Sequence, residues 1–174
     1  AGAWLPPGRE VPAAFCRCPT EHRAMPATVD LVLAPVDESE QAERAVEYAV
    51  AVADRYEADL HLLHVLDERV ARGIETGDVD ATAVAEEHRD FTDAIRDHFR
   101  EADGVRRFTQ SACAGFSPHR LTQSPGSVIL DVAEDVDAGF IVLPREAPTE
   151  DPDETLGKAA LYVLEYASQP VLSV

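Results

Sequence analysis

Lysine is almost absent from this chain of 174 residues: Lys158 is the only one, and the other 14 basic residues are arginines. The 15 basic residues face 33 aspartates and glutamates, which gives a net charge of −18. An excess of negative charge repels polyanions and argues against binding to nucleic acid or to anionic membranes. Long apolar runs are also missing, since none approaches the roughly 20 residues of a transmembrane helix.

Cysteine is scarce as well. Three cysteines are too few for a disulfide framework, which favours a cytoplasmic location. Cys16 and Cys18 are separated by one residue rather than two, and no nearby His or Cys completes a tetrahedral metal site. Cys113 stands alone and is predicted to be a small core residue.

The acidic composition has two interpretations. An acidic surface that is poor in lysine is typical of proteins from extreme halophiles, because carboxylates hold hydration water in concentrated salt. Salt at 1 M also screens their mutual repulsion beyond about 3 Å. An ordinary acidic protein from a mesophile is the alternative.

Residues 1–24 differ from the rest of the chain. They contain three arginines and two glutamates, which gives a net charge of +1. Since the whole chain carries −18, residues 25–174 carry −19. Residues 1–24 also hold four prolines and the only tryptophan, and the only methionine, Met25, follows directly. We expect either a disordered tail or a start assigned too early; a signal peptide is disfavoured because a 7–15-residue apolar core is missing. Residues 25–174 are predicted to form one domain.

Strands and helices alternate along the domain. The predicted strands cover residues 30–36, 60–65, 105–112, 139–143 and 170–174. The first predicted helix ends near residue 58, and the other three cover about 80–102, 127–136 and 154–167. This alternation predicts an α/β fold with a doubly wound, parallel five-stranded sheet and helices on both faces. Two arginines in the third strand predict that it lies at a sheet edge or is partly exposed.

Apolar residues recur every three or four positions in the helices and predict their buried faces. These inward positions are Ala42, Ala45, Val46, Ala49, Val50, Ala53 and Tyr56, then Val84, Phe91, Ile95 and Phe99, then Val128, Ile129, Val132, Ala133 and Val136, and finally Leu156, Ala160, Val163, Leu164 and Ala167. Asp37 and Ser39 are candidate caps of the first helix, and Glu40 would complete a capping box with Asp37. Gly73 and Gly77 are predicted to lie in a loop, as are residues 114–127.

A series of motifs follows the same order as these elements. They are Pro35-Val36-Asp37-x-Ser39 with Glu43-x-Ala45-x-x-Tyr48-Ala49, Leu62-Leu63-His64-Val65, Ile129-Leu130-x-x-Ala133, Asp137-Ala138, Ile141-Val142-Leu143 and Gln169-Pro170-Val171-Leu172-Ser173-Val174. Together they resemble the universal stress protein family over about residues 29–174. The resemblance implies a Rossmann-like, adenine-nucleotide-binding type of sheet and a homodimer paired through the last strand.

The resemblance also implies where a nucleotide would bind. Asp37 matches the carboxylate that contacts the nucleoside, and Val65 matches the backbone position that reads adenine. Pro35 and Leu143, at the ends of their strands, belong to the same implied site. Asp37 has an alternative interpretation as a helix cap only.

The phosphate loop departs from the family pattern. ATP-binding members carry Gly-x-x-Gly, nine residues, and then Gly-Ser or Gly-Thr, because glycines let backbone N–H groups approach the phosphates. The aligned positions here are Pro144, Ala147, Gly157 and Lys158. Pro144 has no N–H to donate, and only Gly157 is kept. Five carboxylates also lie in or beside the loop, namely Glu146, Glu150, Asp151, Asp153 and Glu154.

Lys158 allows two interpretations. It is either an exposed residue in the first turn of a helix, where the helix dipole disfavours a cation, or an anion-binding residue that replaces the lost backbone donors. His61 and His64 are three apart on a strand and therefore face opposite ways, which makes them a poor metal pair. His88 and His98 are expected to be solvated or to lie at the edge of the core. The Gly-x-Ser-x-Gly motif is absent, so no serine–histidine–acid set has a nucleophile elbow.

These observations predict a non-catalytic, dimeric regulatory or scaffold domain in which ATP binding is weak or lost, with no resident cofactor. The alternative is a nucleotide-binding stress sensor that uses Lys158 in a modified loop and takes ATP or AMP with low affinity. An enzyme of the related nucleotide-hydrolase group is disfavoured by the altered loop. Partners other than a second copy are not predicted; nucleic acid and membrane are excluded by charge and hydropathy.

We expect folding to depend on salt, because the repulsion among 33 acidic side chains is unscreened in dilute buffer. Circular dichroism against potassium chloride concentration should show a melting temperature that rises with salt. An unchanged melting temperature between millimolar and molar salt would contradict the halophile interpretation.

Overall fold

The computed structural model describes residues 28–37, 39–100, 102–115, 124–145 and 155–174. The predicted N-terminal extension, residues 1–24, lies outside this part of the chain, as do most of the loop at 114–127 and the acidic loop residues 146–154. No helix in the described ranges is both long enough and apolar enough to cross a bilayer.

Five strands and five helices lie within these ranges. They are β1 (Leu31–Val36), α1 (Glu40–Tyr56), β2 (Asp59–Leu66), α2 (Glu68–Thr76), α3 (Ala81–His98), β3 (Phe108–Ala114), α4 (Pro125–Asp135), β4 (Phe140–Leu143), α5 (Thr155–Tyr166) and β5 (Val171–Ser173). One helix joins each pair of successive strands except β2 and β3, which are joined by two. The strands form one sheet in the order β3-β2-β1-β4-β5, and every neighbouring pair is parallel. The predicted doubly wound parallel sheet is confirmed, and so is the edge position of β3.

Two hydrophobic clusters cover the two faces of the sheet. On one face, the alanine and valine side of α1 packs on β1 and β2, with α3 adding half-buried Phe91, Ile95 and Phe99. On the other face, α4 and α5 pack on β1, β2 and β4 through residues such as Ile129 and Val163. Small side chains on α1 let its backbone lie close to the sheet, so the central strand β1 is almost completely excluded from water.

Four local predictions are wrong. Gly73 lies inside α2 and Gly77 ends it in a left-handed conformation (φ 81°), so a helix replaces the expected loop. The cap of α1 is Ser39, one of the two predicted candidates, whose hydroxyl accepts from the Ala42 amide, so Asp37 is not the cap residue. Tyr56 and Leu164 are about half exposed rather than buried. Both lie at the margin of their helix's apolar side, so a small rotation of the helix turns them to solvent.

The histidines of β2 lie on opposite faces of the sheet, as the strand period predicts. The His61 ring bonds across to the edge strand, with Nδ1 2.9 Å from Thr109 Oγ1 and Nε2 2.8 Å from Ser111 Oγ. On the other face, the His64 ring stacks on His88 of α3 with centroids 3.9 Å apart and meets the edge of Phe91. His88 is therefore a packing residue that joins α3 to the sheet.

Burial determines the protonation of these side chains. Burial, followed by the charges of His88 and His61, lowers the pKa of His64 to about 4, and its Nε2 has no hydrogen-bond partner among the described residues. Burial also raises the pKa of the Cys113 thiol to about 11. Cys113 is therefore a protonated, half-buried packing residue, in agreement with its predicted role.

We expect the His64 environment to make stability pH-dependent. Its folded-state pKa lies below the ordinary value of 6.5, so the unfolded chain binds the extra proton. Its contribution is fully present above about pH 6.5 and is lost as pH falls toward 4, by up to about 1.4 kcal/mol per pH unit. Urea unfolding at pH 7 and at pH 4.5 should show a smaller pH-dependent loss for His64→Phe than for the wild type.

His98→Phe is the matched control, because His98 is an exposed histidine at the end of α3. It should keep the wild-type dependence on pH. Equal losses in the wild type and in His64→Phe would show that His64 does not carry this effect.

Candidate functional site

The order of the strands reverses next to β1. From β1 the chain adds β2 and β3 on one side, and then crosses over to add β4 and β5 on the other. In open α/β sheets, ligands bind outside the carboxyl ends of the strands at such a switch point. We use the term β1/β4 crevice for the edge formed here by Pro35, Val36 and Asp37 from β1, and by Val142 to Arg145 from β4.

Two prolines keep the crevice open. The ladder between β1 and β4 contains only two register pairs, Val32↔Phe140 and Leu33↔Ile141, whereas β1 and β2 share six. The Asp30 carbonyl accepts a hydrogen bond from β2. Backbone groups of successive residues point to opposite sides of a strand, so those of the odd-numbered residues of β1, including Pro35, point toward β4. The backbone groups of Ile141 and Leu143 form hydrogen bonds with the chain of β5. Those of the even-numbered residues of β4 and of Pro144, which follows it, therefore point toward β1.

The consequence follows from the chemistry of proline. The next two donors in this ladder would be the amides of residues 35 and 144, and proline has no N–H. The carbonyls of Val142 and Pro35 therefore receive no hydrogen bond from the ladder, and the pairing of β1 with β4 ends before the carboxyl ends of both strands. Both prolines are buried, which fixes this geometry.

Asp37 directly follows β1 and is half-buried. Its Oδ1 accepts from the Ser39 backbone amide at 3.1 Å and from the Ser39 hydroxyl. Ser39 in turn caps α1 through Ala42. The carboxylate is thus held at the crevice by the residue that caps the helix, while both bonds from described residues use the same oxygen.

Val65 lies at the adjacent end of β2 and is 4% exposed. The last pair between β1 and β2 is Val36↔His64, one residue before it. The backbone groups of Leu60 and Leu66 form hydrogen bonds on the β3 side of the strand. Because the sides alternate along a strand, the backbone groups of Val65 point toward β1. Its carbonyl therefore lies beyond the last pair of the ladder, at the margin of the crevice.

The end of β4 provides few backbone donors. Leu143 is fully buried, and its carbonyl accepts from Val174 at 3.0 Å. After Pro144, the Arg145 amide donates to the Val174 carbonyl. Arg145 has an exposed side chain and places a cation beside the crevice that sequence reasoning overlooked. The signal was present, since an arginine immediately follows the proline at the first position of the loop motif.

Gly157 and Lys158 lie in the first turn of α5. That helix is held by Leu156, Ala159, Ala160 and Val163, which are buried against the sheet. The loop that joins β4 to α5, including the predicted positions Ala147 and Glu146 to Glu154, lies outside the described residues. The structure thus brings Pro35, Asp37, Val65 and Leu143 to one edge of the sheet and places Gly157 and Lys158 at the start of the helix that follows.

Metal-binding clusters are absent from the described ranges, where no group of three or more His, Cys, Asp and Glu has suitable spacing. The stacked rings of His64 and His88 are nearly parallel, at 11°. Ring nitrogens in parallel planes do not converge on one ion, so the pair is not a metal site.

Solved structures share this architecture. UspA from Lactobacillus plantarum has 23% sequence identity and a TM-score of 0.61 over 85% of this chain and 99% of its own. A universal stress protein in complex with cAMP has 17% identity and a TM-score of 0.59, over 84% and 97% of the two chains. A universal stress protein from Archaeoglobus fulgidus in complex with dAMP has 18% identity and a TM-score of 0.50, over 84% and 98%.

Sequence comparison reaches the family level. No curated protein sequence matches the chain significantly. The sequence model of the Universal stress protein family matches residues 29–174, the span over which the motifs were identified. With the five-stranded parallel sheet and its open switch point, this match shows that the chain belongs to the universal stress protein family.

Proposed function

We propose that the chain is a non-catalytic regulatory or scaffold domain of the cytoplasm in which tight ATP binding has been lost. The observation that carries the proposal is the lack of backbone donors at the end of β4. Pro144 has no N–H, and the amide of Arg145 is already bonded to Val174. A triphosphate bound at this edge would meet neither of the first two donors that the loop could supply.

The remaining features of the crevice support a weak adenine-nucleotide site rather than its complete removal. Asp37 is held beside Pro35, and Val65 presents its carbonyl at the same edge. Relatives with this fold have been crystallised with cAMP and with dAMP. The second candidate function is therefore a nucleotide-binding sensor, which is favoured by Arg145 beside the crevice and by Lys158 in the first turn of α5.

We expect the dissociation constant for ATP to exceed about 0.1 mM in molar potassium chloride, because each lost donor to a charged group costs roughly 1.5–3 kcal/mol. Calorimetry on the wild type should therefore detect weak binding or none. Micromolar affinity would favour the sensor. If nucleotides bind, Asp37→Ala should weaken nucleoside recognition, whereas Lys158→Ala should weaken ATP more than adenosine. Binding that neither substitution affects would place the site elsewhere.

The proposed domain acts as a homodimer through β5. Val171–Ser173 form an edge strand whose side chains are only half-buried. The backbone groups of Pro170 and Val174 form hydrogen bonds with β4. The amides and carbonyls of Val171 and Ser173, which lie between them at odd-numbered positions, therefore point to the open edge of the sheet. An edge strand of this kind is stabilised when a second copy pairs with it.

The surface of α5 supports the same pairing. Leu161 and Leu164 are 70% and 49% exposed, three residues apart and hence on one side of the helix. Tyr162 lies on the other side, where its ring approaches Gly126 of α4. The two leucines therefore lie away from the side of α5 that contacts α4, and in the proposed dimer they would add apolar area to the strand contact.

We expect Ser173→Pro to convert the dimer to a folded monomer. The substitution removes an outward-facing amide and leaves the ladder to β4 intact, a position where proline is tolerated on edge strands. Light scattering should give half the wild-type mass at an unchanged circular dichroism spectrum. Ser173→Ala is the matched control and should remain dimeric; a wild type that is monomeric at high micromolar concentration would contradict the assignment.

A further inference from the structure

The segment made of α2, α3 and the turn between them, residues 68–98, is held to the sheet by few buried side chains. α2 has none, and Thr92 is the one buried residue of α3, which adds half-buried Phe91, Ile95 and Phe99 to the core. By contrast, α1 buries a whole face of alanine and valine. Elements with few buried apolar contacts open at a lower free energy than the core that they cover.

The two helices of this segment are joined to each other at the turn. The amides of Asp78 and Val79 both donate to the Gly73 carbonyl, at 2.8 and 3.0 Å. The Val79 side chain lies so close to Gly73 that a Cβ at residue 73 would have no room. These contacts lie inside residues 68–98 and do not depend on the sheet, so α2 and α3 can leave it as one unit.

Side chains of α3 contact β2 and β3 in three different ways. These contacts are a hydrogen bond between the side chains of Thr92 and Gln110, the Arg96 guanidinium 5.8 Å from the centre of the Phe108 ring, and the stack of His88 on His64 with centroids 3.9 Å apart. Of the three, only the histidine pair has side chains that titrate between pH 5 and 8.

The surroundings of His64 are unfavourable for a proton. The ring is 6% exposed, and its Nε2 has no hydrogen-bond partner among the described residues. The charges that act on its pKa are those of His88 from α3 and of His61 from its own strand, and both lower it. A proton on His64 therefore lies in a buried site beside a second ring that can also become a cation.

The elements packed around the stack provide no compensating carboxylate within the described residues. α3 contributes Phe91, Thr92, Ile95 and Phe99 to this interface, and α1 contributes alanine and valine. The neighbouring strands place Val36 and Ala112 at the positions paired with His64. All of these side chains are uncharged, so the imidazolium form can be stabilised only by reaching water.

We propose that the His64–His88 stack is an acid-sensitive latch, and that a proton on the stack releases residues 68–98 from the sheet while the remainder of the domain stays folded. Release would bring the ring of His64 into contact with water. It would also uncover the apolar side of α3, including Phe91 and Ile95, together with the part of the sheet that this side covers. The device does not involve the β1/β4 crevice, so it is independent of the proposed function.

The direction of the effect follows from the linked protonation. The pKa of His64 is about 4 in the closed form and returns toward the ordinary 6.5 after release. The closed form is therefore favoured above pH 6.5 and loses stability as pH falls. Between pH 7 and pH 5 the released fraction should rise about twentyfold. Carboxylates have ordinary pKa values near 4 and stay largely ionised over this range.

The test is hydrogen exchange of the full chain, followed by mass spectrometry at pH 7 and pH 5. The buffer contains 1 M potassium chloride, which screens the repulsion among surface carboxylates. After correction for the intrinsic effect of pH, peptides of α3 should exchange about twentyfold faster at pH 5. At both pH values they should also exchange at least about tenfold faster than peptides of α1.

Two variants identify the group that is responsible. His64→Phe keeps a ring against His88 but cannot take a proton, so it should lose most of the twentyfold rise. His98→Phe is the matched control, because His98 is an exposed histidine of the same helix, and it should keep the rise. Circular dichroism at pH 7 verifies that both variants are folded.

Each result decides a separate part of the proposal. Equal exchange of α3 and α1 in the wild type would show that residues 68–98 open only with the whole domain, and would overturn local release without need of a variant. A wild-type α3 that exchanges equally at the two pH values overturns the acid sensitivity. A rise that persists in His64→Phe overturns the role of the stack. Nucleotide binding does not enter any of these measurements.

Discussion

The separation of β1 from β4 is the constraint on which the rest of this site depends. A parallel ladder closes strands together wherever both partners can exchange amides and carbonyls. Here the exchange ends after Leu33↔Ile141, because the two positions that should continue it are prolines. The pairing at the switch point ends because proline lacks a backbone N–H. Side-chain packing then keeps the two strands in this arrangement.

The two layers of helices hold this opening in place. The small residues of α1 lie against β1 and β2, so that Ser39, at the start of that helix, reaches Asp37 at the strand end. On the other face, α4 and α5 are drawn together where Gly126 meets Tyr162; a Cβ at Gly126 would lie 2.8 Å from Tyr162 Cβ. The crevice is thus bordered by rigid elements, and its acceptors are positioned by the same bonds that begin α1 and end β4.

Charge and hydrogen-bonding capacity act in the same direction at this edge. The chain as a whole is strongly acidic, with a net charge of −18, and the described groups of the crevice are mostly acceptors. Arg145 is the contrary feature, because it adds a cation beside the opening. Its backbone is bound to Val174, while its exposed side chain extends into solvent, where water and salt weaken its attraction for an anion.

Much of this architecture could be predicted from the sequence because it depends on local chemistry. Apolar runs bounded by polar residues predicted all five strands, and the spacing of Ala42, Ala45 and Ala49 predicted the buried face of α1. The ends of strands are local features too, so the family resemblance could assign Pro35, Asp37, Val65 and Leu143 to one site.

Other features were decided only by the tertiary structure. α2 has no buried side chain, and its glycines at 73 and 77 led to the prediction of a loop; that Gly73 lies inside a helix and Gly77 ends it is visible only in the structure. The exposure of Tyr56 and Leu164 depends on how each helix rests on the sheet. The stack of His64 on His88 joins residues that are far apart in the chain. Pro35 and Pro144 were visible as residues, but only the register shows that their missing amides face the same gap, because which side of a strand a backbone group addresses is determined by pairing with its neighbours.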